Sequence, residues 1–278
     1  MTTHLLKRLV AATTVLLAIP LQAGAQSQGQ PLWEVGVLGM GLTTPAYPAS
    51  ADKNSRALVL PVFFYRGEVL RADREGVGAR VVRTDDYEFD VGFAASLPAS
   101  SNDVAARQGM PDLGTLVEFG PRLKATLARP TPTSKLGVEL PLRAVVEINA
   151  GVRDQGIAFE PRVVYETRDI GYGWGFSTSA GLVFGDQRLN RYFYGVDSAY
   201  ATATRPAYEA RSGLIATRFG ASVVKSVHED VRLFAFARWD SYRNSANEAS
   251  PLYLSNQGTS LGVGLVWTLG RSEQRVRN

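Results

Sequence analysis

The chain has 278 residues, 45% of them hydrophobic, with 27 glycines, 14 prolines and no cysteine. Charged residues make up 20%, below the ~25% usual in soluble domains, and past the amino-terminal segment no apolar run reaches the ~18 residues a membrane helix needs. These figures exclude a disulfide scaffold, thiol catalysis, a cysteine-ligated metal and a helical membrane protein. They leave a transmembrane β-barrel open, because its apolar surface is spread over alternate residues.

Residues 1–25 read as a secretory signal peptide. Lys7 and Arg8 form a basic start, Leu9 to Ile19 an apolar core, and Ala23-Gly24-Ala25 a small-x-small cleavage site. Cleavage between Ala25 and Gln26 would remove two of the 30 basic side chains and leave them nearly balanced by the 26 acidic ones. No basic run or basic helix remains, so nucleic acid is not an expected partner. The mature chain would keep a single histidine, His228.

After Gln26 the dominant hydrophobic period is two, the period of a strand with one apolar face. Weak alternation runs through 33–42, 56–65, 68–73 and 76–83. It is clear in 87–97, where Tyr87, Phe89, Val91, Phe93, Ala95 and Leu97 alternate with Glu88, Asp90, Gly92, Ala94 and Ser96. A weaker match covers 115–127. Residues 135–148 set Leu136, Val138, Leu140, Leu142, Ala144, Val146 and Ile148 against Lys135, Gly137, Glu139, Pro141, Arg143, Val145 and Glu147. Residues 157–168 set Ile157, Phe159, Val163 and Tyr165 against Glu160, Arg162, Glu166 and Arg168. In 172–185, Tyr172, Trp174, Phe176, Ala180, Leu182 and Phe184 alternate with glycine and serine. Weaker matches at 213–227 and 230–243 precede Leu261, Val263, Leu265, Trp267 and Leu269. The predicted fold is all-β, an antiparallel barrel of about twelve strands. Ten strands and a dwarf hairpin at 68–83 are the alternative.

The connections alternate in length. Short turns fall near 66–67, 84–86, 129–134, 169–171 and 228–229. The connections between them are 43–55, 74–75, 98–114, 150–156, 186–212 and 244–258, mostly long. Short periplasmic turns and long outer loops are the outer-membrane pattern, and an even strand count puts both termini in the periplasm. Parity alone also fits a soluble barrel with its apolar face inside. Three features favour the face outside. The apolar faces span roughly 23 Å at ~3.3 Å per residue, close to the ~25 Å lipid band. Trp33, Tyr65, Tyr87, Tyr172, Trp174 and Trp267 gather at the predicted periplasmic strand ends, as an interfacial belt does. The opposite face carries the charges. The expected division is a signal peptide (1–25), a periplasmic segment (26–32), a barrel (33–269) and a polar tail (270–278).

An ordered series of short motifs also runs through the chain. It runs from Trp33-Glu34-Val35-Gly36-Val37 and Tyr47-Pro48-Ala49-Ser50 through Tyr65-Arg66-Gly67-Glu68, Leu70-Arg71-Ala72-Asp73 and Gly109-Met110-Pro111-Asp112. Glu118-Phe119-Gly120-Pro121-Arg122-Leu123 and Leu140-Pro141-Leu142-Arg143-Ala144 follow. The most specific stretch is Tyr192-Phe193-Tyr194-Gly195-Val196-Asp197 with Ala199-Tyr200-Ala201-Thr202 and Arg205-Pro206-Ala207-Tyr208. In this series the chain resembles the MltA-interacting protein (MipA)/OmpV family of outer-membrane proteins, and the resemblance implies a barrel without enzymatic activity in the outer membrane of a Gram-negative bacterium, surrounded by outer-membrane lipid. It further implies a scaffold joining a lytic murein transglycosylase to a penicillin-binding protein, or a role in osmotic response, adhesion or antibiotic uptake. Such barrels usually end on an aromatic residue; here Trp267-Thr268-Leu269 is followed by a polar basic tail.

The candidate sites follow from the strand faces. Glu118, Arg122, Glu139, Arg143, Glu147, Glu160, Arg162, Glu166, Arg168, Arg232, Arg238 and Asp240 fall on the lumen face. They would form a pairing network that plugs a narrow barrel or, alternatively, line a pore or hold a polar ligand. The 186–212 loop carries Tyr192, Phe193, Tyr194, Tyr200 and Tyr208, either as an outer contact surface or as a plug folded over the mouth. His228 sits in a predicted turn beside Glu229 and Asp230, a poor place for a general base. No catalytic residue, cofactor site or metal site is expected. Murein enzymes would dock on the short turns, on residues 26–32 or on the tail; a channel or binding protein for small polar solutes or antibiotics is the alternative function.

Overall fold

The computed structural model describes residues 29–67, 70–73, 76–149 and 151–276, with 70–78 as backbone only. The signal peptide and the Ala25–Gln26 junction lie outside the described residues. Strands β1 (Trp33–Pro45), β2 (Lys53–Arg66), β3 (Leu70–Asp73), β4 (Gly76–Arg83), β5 (Tyr87–Ala95) and β6 (Thr115–Thr131) come first. They are followed by β7 (Ser134–Ile148), by β8 in two segments (Val152–Phe159 and Arg162–Thr167), and by β9 (Trp174–Gly185). The last three are β10 (Gly213–Ser226), β11 (Val231–Ser241) and β12 (Gln257–Arg271). Glu160-Pro161 only interrupts β8. Glu160 N–H still donates to Pro141 O (3.2 Å), and Pro161 O accepts from Leu182 N–H (3.0 Å).

Each strand pairs antiparallel with its sequence neighbours, and β12 pairs with β1 from Leu261↔Thr43 to Arg271↔Glu34. Both segments of β8 pair with β7 and β9. The sheet therefore returns on itself as a closed barrel of twelve strands among the described residues, with the 70–83 hairpin counted as two short ones. Closure gives each strand a partner on both sides, although β2 meets β3 at two residue pairs only.

The apolar parity faces outward. On β12, Leu261, Val263, Leu265, Trp267 and Leu269 are exposed while Ser260, Val266 and Thr268 are buried. On β7, Leu140 and Leu142 face out while Arg143, Val145 and Glu147 are buried inside. A soluble barrel would invert this pattern. Trp33, Tyr87, Tyr172, Trp174 and Trp267 are exposed at the short-turn end, and Lys225 Nζ lies 5.2 Å from the Trp174 ring centroid.

Several boundaries differ from expectation. The 150–156 connection shrinks to 149–151 because β8 begins at Val152, and 43–55 shrinks to 46–52. A helix, α1 (Gln187–Tyr194), occupies the start of the long loop, its first turn capped by Asp186, whose side chain accepts from Leu189 N–H at 2.8 Å. The last strand runs to Arg271, two residues past the expected end. The polar tail beyond it is tied down: Arg275–Val276 pairs with Gln30–Pro31, and Leu32 N–H donates to Gln274 O at 2.9 Å. Backbone groups of both terminal segments satisfy each other there, which hydropathy alone cannot reveal.

Candidate functional site: the charged lumen and its outer cap

The inner wall has two unlike halves. Strands β10 to β2 present apolar groups, with Leu38, Met40, Leu42, Val224, Phe234 and Val266 packed as a buried cluster. This departs from the polar lumen expected from parity. Residues 33–42 and 56–65 are apolar on both parities, which is why their alternation reads weakly. Strands β5 to β9 carry most of the charges, joined by Arg218 on β10 and by Arg238 and Asp240 on β11.

At mid-height, Arg143 donates to Glu118 (3.2 Å) and Glu160 (3.4 Å). Arg218 on β10 donates to Glu160 (2.8 Å) and Asp240 (2.8 Å). Arg238 lies 3.3 Å from Asp240 and donates to Ser260 Oγ at 3.0 Å. Nearer the short-turn end, Arg122 grips Asp90 through two bonds of 2.9 and 2.7 Å. Lys124 and Arg80 pair with Glu88, and Arg162 pairs with Glu139. Lys135 meets Glu166 at 2.6 Å. A separate buried pair joins Arg66 to Glu34, with Arg232 3.6 Å away and stacked 4.9 Å from the Phe64 ring. Glu147 stands apart, accepting from Gly114 N–H (2.8 Å), Gln155 (2.9 Å) and Tyr192 OH (3.1 Å).

Eight of the twelve expected lumen charges, from Glu118 and Arg143 to Arg238 and Asp240, thus meet in ion pairs across the β5–β11 wall. Glu166 pairs near the mouth, Arg232 belongs to the apolar side, and Arg168 is exposed at the mouth. The candidate set omits Glu34, Arg66, Arg80, Glu88, Asp90, Lys124 and Arg218. Glu88 and Asp90 already stand on the polar parity of 87–97, and all but Arg66 fall within the expected strands, so the same alternation points to them.

A cavity of about 740 Å³ runs through this region. Arg129, Thr133 and Arg168 line it at the short-turn end, and Tyr47, Tyr192 and Phe193 at the other. There the long loops close over it. Tyr47, Ala99, Val104, Leu113, Val196 and Leu252 form one packed cluster; Ala49, Leu189, Tyr194, Ala210 and Tyr242 belong to a second, which continues onto inward residues of the wall. Asn247, fully buried, donates to Asn190 Oδ1 (2.8 Å) and Arg211 O (2.9 Å), and accepts from Arg211 N–H (2.8 Å) and Tyr208 OH (3.2 Å). Arg107 lies 5.8 Å from the Tyr47 ring centroid, and Arg205 ties the 195–212 segment to Ala106 O and Gln108 O at 2.9 and 3.0 Å.

This placement corrects the contact-surface reading for Tyr194, whose ring is fully buried. Tyr192, Phe193 and Tyr208 are half-buried and pack on the cap clusters; Tyr200 is half-buried and its carbonyl accepts from Arg205. A long loop rich in rings lowers its free energy by burying them on one another, so exposure does not follow from loop position. Burial raises the hydroxyls of Tyr47 and Tyr242 to about 12 and pushes Tyr192 up further, aided by the Glu147 carboxylate.

His228 lies in the 227–230 turn, exposed, with Nδ1 accepting from Asp230 N–H at 3.3 Å. Among the described residues no group of three or more His, Asp or Glu is placed to hold a metal ion.

A closed twelve-strand sheet, greasy outside, charged inside, with short turns at one end and a packed cap at the other, defines an outer-membrane β-barrel protein. The sequence model for MltA-interacting protein MipA matches residues 37–269, and the chain belongs to that family. No curated protein matches the chain. Among solved structures, the chain is similar to the NanC porin (9% identity, 84% of this chain and 100% of that one, TM-score 0.42). It is also similar to a bacterial polysaccharide outer-membrane secretin (10%, 88% and 99%, 0.40) and to outer-membrane phospholipase A from Escherichia coli (11%, 86% and 94%, 0.34).

Proposed function

We propose that this protein is a non-enzymatic scaffold of the outer membrane whose periplasmic face gathers murein-processing enzymes, a lytic transglycosylase and a penicillin-binding protein. The observation that carries this reading is the asymmetry of the two ends. The outer mouth is covered by a cap with its own buried core, which disfavours free passage of solutes. The periplasmic end is a firm surface of short turns, with the two terminal segments paired on it. It carries paired opposite charges, with exposed Arg129 on Asp86 (2.8 Å) and half-buried Arg271 on Asp230. The family description names an interaction with MltA, and a surface of this kind suits such a partner. The exposed position of His228 supports the absence of hydrolytic chemistry, since a general base works within reach of a nucleophile in a sheltered site.

The test is co-purification from detergent extracts with a lytic murein transglycosylase and a penicillin-binding protein, against an unrelated barrel. Enrichment that falls when the 84–86, 168–173 and 227–230 turns are exchanged supports the reading; no enrichment sinks it. Phospholipase and murein-hydrolase assays on the refolded protein are expected to give no turnover. A second reading rests on the cavity of about 740 Å³, large enough for a small polar solute or antibiotic. Single-channel recording separates passage from binding, since a capped barrel that only binds stays closed.

A further inference from the structure

The barrel wall is incomplete in one place. Strand β2 pairs with β1 along its whole length, from Pro45↔Lys53 to Trp33↔Tyr65. On its other side it pairs with β3 only at Tyr65↔Ala72 and Arg66↔Arg71. Strands β3 and β4 pair from Leu70↔Ala79 to Asp73↔Gly76, and β4 reaches β5 no higher than Gly92. Above that level, among the described residues, no strand pairs with residues 53–64 of β2 on this side. The gap lies in the outer half of the wall, beyond the hairpin from the periplasmic turns. Its upper rim is crossed by Arg56, which donates to Pro98 O at 2.8 Å. The exposure of Val59, 76%, fits a strand with no neighbour.

We propose that this gap is a lateral opening from the lumen into the outer half of the bilayer, and that it takes an amphiphile with an acyl or alkyl tail. Three observations carry the proposal. First, the lumen side of β2 at the gap is apolar: Leu58, Leu60, Val62 and Phe64 point inward, half-buried, and Leu97 packs with them. They offer a tail a greasy bed. Second, an unpaired strand edge cannot lie against hydrocarbon, because its amides and carbonyls need hydrogen-bond partners. A pure acyl environment is thereby excluded, and a molecule bringing a polar head satisfies the edge. Third, a strand from another chain is disfavoured. Arg66 N–H donates toward β1, to Leu32 O. Alternation therefore turns the odd-numbered amide positions of β2 toward the gap. Pro61 is among them and has no N–H to give, the device by which edge strands resist pairing.

The absence of native cysteine allows a clean test. Nitroxide labels are placed singly by Leu60→Cys at the gap, Ser177→Cys on the lumen side of β9 and Val263→Cys on the lipid face. The proteins are refolded into phospholipid vesicles, with the heat-dependent gel shift checking that each has folded. Collision with oxygen, enriched in lipid, and with a water-soluble nickel chelate is then measured. The expected result is lipid contact at position 60 approaching that at 263, with position 177 in water. A label at 60 as shielded from oxygen as that at 177 overturns the opening. Dansyl-undecanoic acid is the occupant probe. Saturable binding is expected, about tenfold weaker in Leu60→Asp and unchanged in Ser198→Asp, at an exposed position of the outer cap. Absent saturable binding, or binding indifferent to Leu60→Asp, overturns the amphiphile. Disulfide-linked dimers formed through Leu60→Cys would show that a second copy covers the edge, and overturn it as well.

Discussion

Arg218 on β10 donates to Glu160 on β8 at 2.8 Å, reaching past the whole of β9 between them. Gly181 is the reason it can. It lies opposite both Arg162 and Arg218 in the ladders. A Cβ there would come within 2.5 Å of Pro161 O and 2.6 Å of Arg162 Cβ. The bare backbone at that position lets charges from strands two apart share one network.

Gly181→Ala therefore tests the crossing. The added methyl has no room, and overpacking of this kind costs about 1–3 kcal/mol. Gly39→Ala is the control, with nothing within 4 Å of the added carbon. Urea unfolding in vesicles is expected to shift to lower denaturant for the first and to stay unchanged for the second.

Glu160→Ala removes the carboxylate that serves both Arg143 and Arg218. Breaking a dry buried pair costs ~3–5 kcal/mol. Arg218 keeps part of its side chain exposed, so about 2–3 kcal/mol is expected. Glu160→Ala combined with Arg218→Ala should cost less than the sum of the two single losses, because each single variant already breaks the Arg218–Glu160 pair they share. A double-mutant cycle in the same unfolding assay reads the difference, and strict additivity would deny the network.

Asn247→Ala should loosen the cap while sparing the barrel. Its side chain satisfies Asn190, Arg211 and Tyr208 in a fully buried place, and each stranded polar partner costs about 1–3 kcal/mol. Hydrogen exchange is expected to rise in 187–212 and 242–256 with the strands still protected. Uniform exchange over cap and barrel alike would contradict a separately folded cap.

The cap should also respond to alkali. Burial raises Tyr47 and Tyr242 to about 12, above the ~10 of an unfolded tyrosine. The folded state then holds these protons more tightly than the unfolded one, so the stabilisation is complete below pH ~10 and is lost as pH rises toward 12. Protease sensitivity of the cap should climb in that window. In Tyr47→Phe the climb should flatten, at the cost of about 1 kcal/mol for the lost bond to Leu252 O.

Alternation of residue types by itself determined the wall. Leu140 and Leu142 against Arg143 and Glu147 fix which side of β7 meets lipid, because a strand sends successive side chains to opposite faces and hydrocarbon will not take the charged set. Turn lengths fixed the ends for the same reason: a two-residue connection leaves no room for anything but a hairpin. Three things were decided only in three dimensions. Which charges pair depends on register, as Arg218 meeting Glu160 over Gly181 shows, and one sequence does not state the register of strands far apart in the chain. Whether Tyr194 is a contact or a core residue depends on what two other loops bring to it, through Ala49 and Tyr242. The opening beside β2 depends on how far β3 and β4 climb. Period-two patterning speaks of faces, and ladder length is settled by the neighbours a strand finds.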